Sequence, residues 1–360
     1  MNLSRLWTIA RLELLQRVRT VSWYVLLGVF AVLLIGVTAL AFLSTAGMGD
    51  AGPGVFSIVV YVTLLLVLLV SPTLSGNSIN GDRDAATLAP VQVTLATTGE
   101  ILLGKLIAAW ITGLAFAVVA APFLLIALIA GGVNPWAVLT SLAVLVIEIG
   151  IVAAIGVAFS GILARPLFSV AVTYLVVAAL SVGTLIGFGL IGTAVGSDYT
   201  QHSRDVQYDD DGYPVCEDGS NDCDYDEMAC GEWQTYTYRV PRFDRVWWLL
   251  AANPFVILAD ATPTTFDANG NPDDLFGWTK AGVRGAQQTP ELESTWDGCA
   301  SEYQYGDEDY QTPEEIIAST VPSWFVGLGG QLLLAALLLW GAWARTRTPA
   351  RTLPPGTRIA

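Results

Sequence analysis

Apolar residues gather along this chain into six long runs, at roughly 22–45, 55–75, 102–130, 136–163, 167–195 and 322–343. A helix needs about 20 mostly apolar residues to cross a hydrocarbon core. Inside that core the backbone must satisfy its own polar groups, so each run predicts a helix. The first run exceeds the roughly 7–15 apolar residues of a secretory leader, and further runs follow it. It therefore reads as a span. A seventh run, Val246 to Leu258, is interrupted by Asn253-Pro254 and is too short to cross. It predicts a re-entrant or interfacial helix pair over 246–260, with Trp247 and Trp248 at the headgroup level. The alternative for this run is a buried helix of the polar segment around it. Ahead of the first span, Leu3, Trp7, Ala10, Leu14 and Val18 share one helical face, with Arg5, Thr8, Gln16 and Arg19 opposite. That pattern predicts an amphipathic helix over 1–20 lying on a membrane surface.

Composition agrees with the pattern. Charged residues make up 14% of the chain and apolar ones 53%, where a soluble domain is about 25% charged. The formal charge of −15 is unevenly spread. Residues 197–320 hold 26 Asp/Glu against 6 Lys/Arg, and the rest holds 6 against 11. Lys and Arg near span ends mark the cytoplasmic side. Arg5, Arg11, Arg17 and Arg19 precede the first span. Arg83 and Lys105 flank the second connection, Arg165 sits in the fourth, and Arg345, Arg347, Arg351 and Arg358 follow the last span. The connections at about 46–54 and 131–135 hold neither residue type. Six spans then place both termini in the cytoplasm and 197–321 outside, in a multi-pass plasma-membrane protein.

Cysteine usage gives the same orientation. Cys216, Cys223, Cys230 and Cys299 all fall in the acidic segment. An even number confined to one polar segment points to two disulfides and an oxidising compartment, with three possible connectivities. The expected fold is an all-α polytopic membrane protein with six transmembrane helices, an N-terminal amphipathic helix and an acidic, disulfide-bonded external insertion between helices 5 and 6. Its parts are a cytoplasmic helix at 1–20, spans 1–5 over 21–196, the insertion at 197–321, span 6 at 322–344 and a cytoplasmic tail at 345–360.

Candidate chemistry is sparse. No basic patch suggests nucleic acid. His202 is the only histidine, which excludes a two-His metal site and a Ser-His-Asp triad among the spans. The runs Asp209-Asp210-Asp211-Gly212 and Asp222, Asp224, Asp226 lack the turn Gly and terminal Glu spacing of a calcium loop. They read as acidic solvated surface, and no metal ligands are expected. Gly183-x-x-x-Gly187 and Gly192-x-x-x-Gly196 permit close helix contact within the subunit or at a dimer seam. Glu148 lies mid-span, where a charge costs roughly 2.5–3.5 kcal/mol on insertion scales, so it must face protein or water. It is either a pathway or gating group, or a carboxyl hydrogen-bonded to a neighbouring helix.

Gly99 to Lys105 has the G-x-x-x-x-G-K spacing of a phosphate loop. The magnesium-binding Ser or Thr is missing, since Leu106 follows, and Ile101, Leu102 and Leu103 fill the middle. The same stretch ends a cytoplasmic connection at 76–101 that is too short to fold alone. Asp82-Arg83-Asp84, Thr87-Leu88 and Glu100-Ile101-Leu102-Leu103-Gly104-Lys105 follow one another there, and Asn253-Pro254-Phe255 precedes the last span. In these motifs, and in the six-span plan, the chain resembles the permease subunits of type-2 ATP-binding-cassette (ABC) exporters. Ala86, Pro90 and Thr97-Thr98 depart from the family pattern.

The resemblance implies a transport subunit that is not itself an enzyme. It would pair with a second permease copy, identical or not, in the lipid bilayer. Cytoplasmic ABC ATPase subunits would bind the ATP and Mg, and this chain would hold no cofactor. Residues 82–100 would dock on the ATPase, through polar contacts from Asp82, Arg83 and Asp84 and apolar ones from Leu88 and Val91. Thr87, Glu100, Gly104 and Lys105 complete the coupling motif. A membrane-anchored receptor or assembly factor is the alternative, though six spans exceed what an anchor needs. A membrane-embedded enzyme would require a catalytic partner for Glu148.

Overall fold

The computed structural model describes residues 2–45, 51–84, 96–217, 228–299 and 311–346. Six helices are long and apolar enough to cross a membrane, so the chain is a multi-pass membrane protein. In chain order, α1 (Leu3–Val18) precedes the first spanning helix, α2 (Val21–Ser44). The second is α3 (Gly52–Ser75), continued by the short α4 (Asn80–Asp84). Then come α5 (Thr98–Ile129) and α6 (Pro135–Ile162). The fifth joins α7 (Pro166–Ala178), a π-turn (Ala179–Gly183) and α8 (Thr184–Ala194). The sixth is α13 (Trp324–Thr346). Between the last two lie β1 (Gly196–Arg204), β2 (Gln234–Pro241), α9 (Trp248–Ala251), α10 (Pro254–Ala261), α11 (Leu275–Gly285), β3 (Glu293–Asp297) and α12 (Pro313–Ser319). The three strands depart from the expected all-α class. Tyr, Thr and Val at alternating positions of β2 favour a pleated strand, and the charge count of the segment conceals that pattern.

Contacts divide the chain into two units. The first comprises residues 1–185, 250–280 and 322–360. Its core runs through α3 and α6, where Phe56, Val59, Leu64, Leu145, Ile149 and Ile155 are fully enclosed. Gly156 lets these helices meet, because a Cβ there would overlap the Ser75 hydroxyl. The helices at 250–261 also belong to this unit. Ile257, Leu258 and Ala259 of α10 and Phe276 of α11 join the span core. The Tyr61 ring lies 5.9 Å from that of Phe255 and 5.0 Å from that of Phe276.

Asn253 is the hinge of this packing. Its Oδ1 accepts the Phe255 amide at 2.9 Å and caps α10, whose first residue is Pro254. Its Nδ2 donates to the Ser181 carbonyl at 2.6 Å and to Thr184 Oγ1 at 2.9 Å. A π-turn breaks the regular i→i−4 ladder, and Asn253 serves one of its carbonyls. Across the unit, buried Asp260 accepts the Ser323 amide at 2.7 Å and the Trp324 amide at 3.0 Å, at the start of α13.

The second unit comprises residues 186–249 and 281–321. Its sheet has the order β2-β1-β3, with β1 antiparallel to β2 and parallel to β3. The Arg204 guanidinium clasps Asp297 through two bonds of 2.7 and 2.6 Å and lies 4.8 Å from the Trp233 ring. Beside it, Cys230 and Cys299 form a disulfide, with Cα atoms 6.0 Å apart. This selects one pairing among the four cysteines. Cys216 is buried, and Cys223 lies outside the described residues. Gly192 packs beneath Phe243, so the small residues at this end of the fifth span serve a contact within the subunit. Asp209 Oδ1 accepts the amides of Asp211 and Tyr213, closing a turn at Gly212 (φ 84°). The alternating aspartates at 222–226 lie outside the described residues.

Two predictions follow from the first unit. Asn253→Ala removes a helix cap and leaves a π-turn carbonyl without its donor, so it should cost about 2 kcal/mol. The check is a thermal melt in detergent, with Asn253→Asp retaining the cap alone and falling between. Asp274 caps α11 through the Gly277 amide (2.7 Å), and burial raises its carboxyl to about 6. The native state then binds a proton more tightly than the unfolded chain. This contribution is greatest below the ordinary carboxylate range and is lost as pH rises through about 6. Asp274→Asn should therefore flatten the loss of stability between pH 4 and 7, by about 3 kcal/mol at most.

Candidate functional site

The sequence motifs at the start of the third span converge on one buried cation. Lys105, on the second turn of α5, is 3% exposed. Its ammonium contacts the Glu13 carboxylate of α1, Asp82 Oδ2 of α4 at 2.7 Å and the Ser78 carbonyl at 2.8 Å. A lysine ammonium has three donors, and here each has an oxygen. Three segments distant in sequence therefore meet at one charge. Two carboxylates face one ammonium, and Arg17 of α1 lies within the field of Glu13. A cavity of about 180 Å³ opens beside it, lined by Ile9, Leu12, Glu13, Gln16, Asp82, Ile101 and Lys105.

The neighbouring motif residues explain why α1 lies there. A Cβ at Gly104 would come within 2.9 Å of Ile9 Cγ2 and 3.2 Å of the Leu6 carbonyl, so glycine lets α1 cross α5 closely. Glu100 closes a capping box at the start of α5: its Oε2 accepts the Thr97 amide at 2.9 Å, and Thr97 Oγ1 accepts the Glu100 amide at 3.3 Å. The other oxygen of Glu100 accepts the Asn2 amide at 2.5 Å. At the far end of α1, Arg17 donates to the Leu74 carbonyl of α3 at 2.8 Å. The buried face of α1 is thus Leu6 and Ala10, turned to protein, while Leu3, Trp7 and Val18 of the expected apolar stripe stay exposed.

The acid-Arg-acid cluster divides its work. Asp82 belongs to the Lys105 cluster. Arg83 turns the other way, donating to the carbonyls of Gly161 (3.2 Å) and Leu163 (3.4 Å), where α6 ends. Ser160 Oγ accepts the amides of Ile79 and Asn80 at 2.9 and 3.0 Å, and Asn80 reaches Ser169 Oγ on α7 at 3.2 Å. Asp84 is exposed and forms no ion pair among the described residues. Thr87, Leu88 and Val91 lie outside the described residues. Glu148 makes no ion pair with this cluster; it is fully buried on α6, with neither carboxylate oxygen hydrogen-bonded among the described residues. A separate apolar cavity of about 370 Å³, lined by α5, α6 and α13, runs past Trp110, Gly150 and Leu332.

Sequence reasoning missed Glu13, Asn80 and Ser160. Glu13 carried a signal, as the only carboxylate among the four arginines of the first 20 residues. Asn80 and Ser160 carried none, because their partners are backbone amides and hydroxyls about 80 residues away. No protein-family model matches this chain, and no curated protein matches it.

The cluster makes a sharp prediction. Lys105→Met leaves two carboxylates facing each other, and removing one partner of a buried ion pair is strongly destabilising. Asp82 is 34% exposed, so solvent screens part of the effect, and a loss on the order of 2 kcal/mol is expected. The triple variant Lys105→Met/Glu13→Gln/Asp82→Asn should recover at least half of it. Thermal unfolding in detergent measures both.

Proposed function

We propose that this chain is the membrane-spanning permease subunit of an ABC exporter, forming the translocation pathway with a second permease copy. Separate cytoplasmic ATPase subunits would bind the ATP and Mg and dock on residues 82–100 of the 76–101 connection. In this reading the protein sits in the plasma membrane with both termini cytoplasmic and the acidic segment outside. The observation that carries the reading is the Lys105 cluster with the Arg83 anchor. Together they tie the start of the motif-bearing connection to α1, to the start of α5 and to the end of α6. A push on that connection is therefore transmitted to several spans at once. Coupling between two sites requires an element whose equilibrium both can bias.

The residues take distinct roles. Asp84, exposed and unpaired within the described chain, faces outward for a partner contact. Asp82, Glu100, Gly104 and Lys105 hold the segment to the bundle. Arg83 fixes it to the end of α6.

Purification from native membranes tests the proposal. An ATPase subunit should accompany the chain. Asp84→Asn should weaken that association several-fold with an unchanged melting temperature, while Lys105→Met should cut stimulated ATP hydrolysis roughly tenfold with unchanged nucleotide affinity. Recovery of the chain with no ATPase in any gentle detergent would overturn the reading.

A further inference from the structure

Among the described residues β2 is an edge strand, paired on one side only. Its ladder is to β1, and among the described residues no other backbone hydrogen bond reaches residues 234–240. Seven of its eight residues are exposed. Edges of this length are normally blunted by Lys, Pro or a bulge, because free amides and carbonyls recruit another strand. In β2 the only Pro is the terminal Pro241, and the only charge is Arg239.

The pairing parity shows which groups are free. Thr200 N donates to the Leu292 carbonyl at 2.9 Å, and Gly298 N donates to the Arg204 carbonyl at 2.8 Å. Even-numbered residues of β1 therefore aim their amides at β3, and odd-numbered ones at β2. Successive residues alternate sides in an antiparallel ladder. With Tyr199 opposite Tyr238 and Gln201 opposite Tyr236, the even residues of β2 bond to β1. Thr235, Thr237 and Arg239 then present their N–H and C=O groups outward.

We infer that two copies of this chain pair through β2, antiparallel about a two-fold axis at Thr237. That register sets Thr237 against Thr237 of the second copy and Thr235 against Arg239, with reciprocal bonding at all three outward residues. It places each Tyr236 across from a Tyr238, an aromatic cross-strand pair of the kind that stabilises sheets. It leaves Pro241, which has no N–H to give, outside the ladder. A two-fold contact requires such a self-complementary surface. Charge selects the same place. Residues 197–320 carry 26 Asp/Glu against 6 Lys/Arg, so two copies repel broadly. β2 holds no carboxylate, which makes its edge a site of least repulsion in the segment. The result is a six-stranded sheet shared by two external units. The inference rests on the permease reading only in that both call for two copies.

Thiol cross-linking of the full-length chain in native membranes tests it. The described cysteines are disulfide-bonded, so an introduced thiol reacts selectively. Thr237→Cys should be bridged to a dimer by a short bismaleimide in most of the protein, its two Cα atoms lying about 5.5 Å apart. Gln234→Cys sits six residues from its own copy, about 20 Å, and should give a tenth as much dimer or less. Thr237→Pro removes an outward N–H without touching the β1 ladder. Combined with Tyr238→Cys, it should abolish the cross-link that Tyr238→Cys alone makes to Tyr236→Cys of a co-expressed, differently tagged chain. Equal yields at 234 and 237, no dimer at 237, or bridging at 237 to a different protein would each overturn the inference. ATPase co-purification scored on the same membranes shows separately whether the permease reading stands.

Discussion

A lysine at the start of a membrane helix cannot be buried alone. Lys105 is almost fully enclosed, and the cost of taking its charge out of water must be met by oxygens brought from elsewhere. They come from Glu13 of α1 and from Asp82 and the Ser78 carbonyl of the connection after α3. Satisfying one charge therefore fixes where α1 crosses α5 and how far the connection after α3 folds back. Gly104 and Glu100 fall into place around that requirement. Gly104 removes the side chain that would hold α1 away, and Glu100 spends one oxygen on its own helix cap and the other on the first turn of α1.

Backbone satisfaction governs the remaining joints. At the termini of membrane helices water is scarce and carbonyls still need donors. Arg83 supplies the end of α6, Arg17 the last turn of α3, and Asn253 the π-turn of the fifth span. In the second unit the Arg242 amide reaches the carbonyls of Gly192 and Val195 at the end of α8, and its guanidinium, held by Asp244, also donates to Ser197. The same guanidinium keeps the Asp244 carboxyl below its usual range. Each joint uses a side chain that is polar at one end and long enough to reach across.

The spans were legible because a 20-residue apolar run has few alternatives. Val21–Ser44, Pro135–Ile162 and Pro166–Ala194 each begin or end within a residue or two of the apolar boundaries. The interruption at Asn253-Pro254 was also readable, and two short helices do flank it. The division of the acidic segment was not. Residues 250–280 pack with the spans while the flanking stretches form the sheet unit, and charge counts average across that boundary. The sheet was hidden because β1 mixes Asp, Gln, His and Arg with Tyr and Thr, giving no clean alternation. Glu148 was found as an outlier of composition. Its lack of any hydrogen-bonding partner among the described residues is a property of the packing around α6, which a single sequence does not display.

Gly99 to Lys105 illustrates how the same residues serve opposite demands. A phosphate loop needs an open run of amides, small side chains and a lysine free to reach a ligand. Here the amide of Glu100 is taken by Thr97 Oγ1 and that of Ile101 by the Thr97 carbonyl. Ile101 and Leu102 are buried in a core cluster with Ala109 and Ala153. The lysine's donors already have acceptors within the chain. Each element of the spacing has a structural cause that excludes a phosphate: Gly104 admits a helix, Lys105 neutralises carboxylates, and the bulky middle residues anchor α5. Spacing alone could not separate the two cases. The difference lies in what surrounds the glycines, an apolar helix in place of a strand and a turn, and that context makes this stretch a joint between a polar connection and a span.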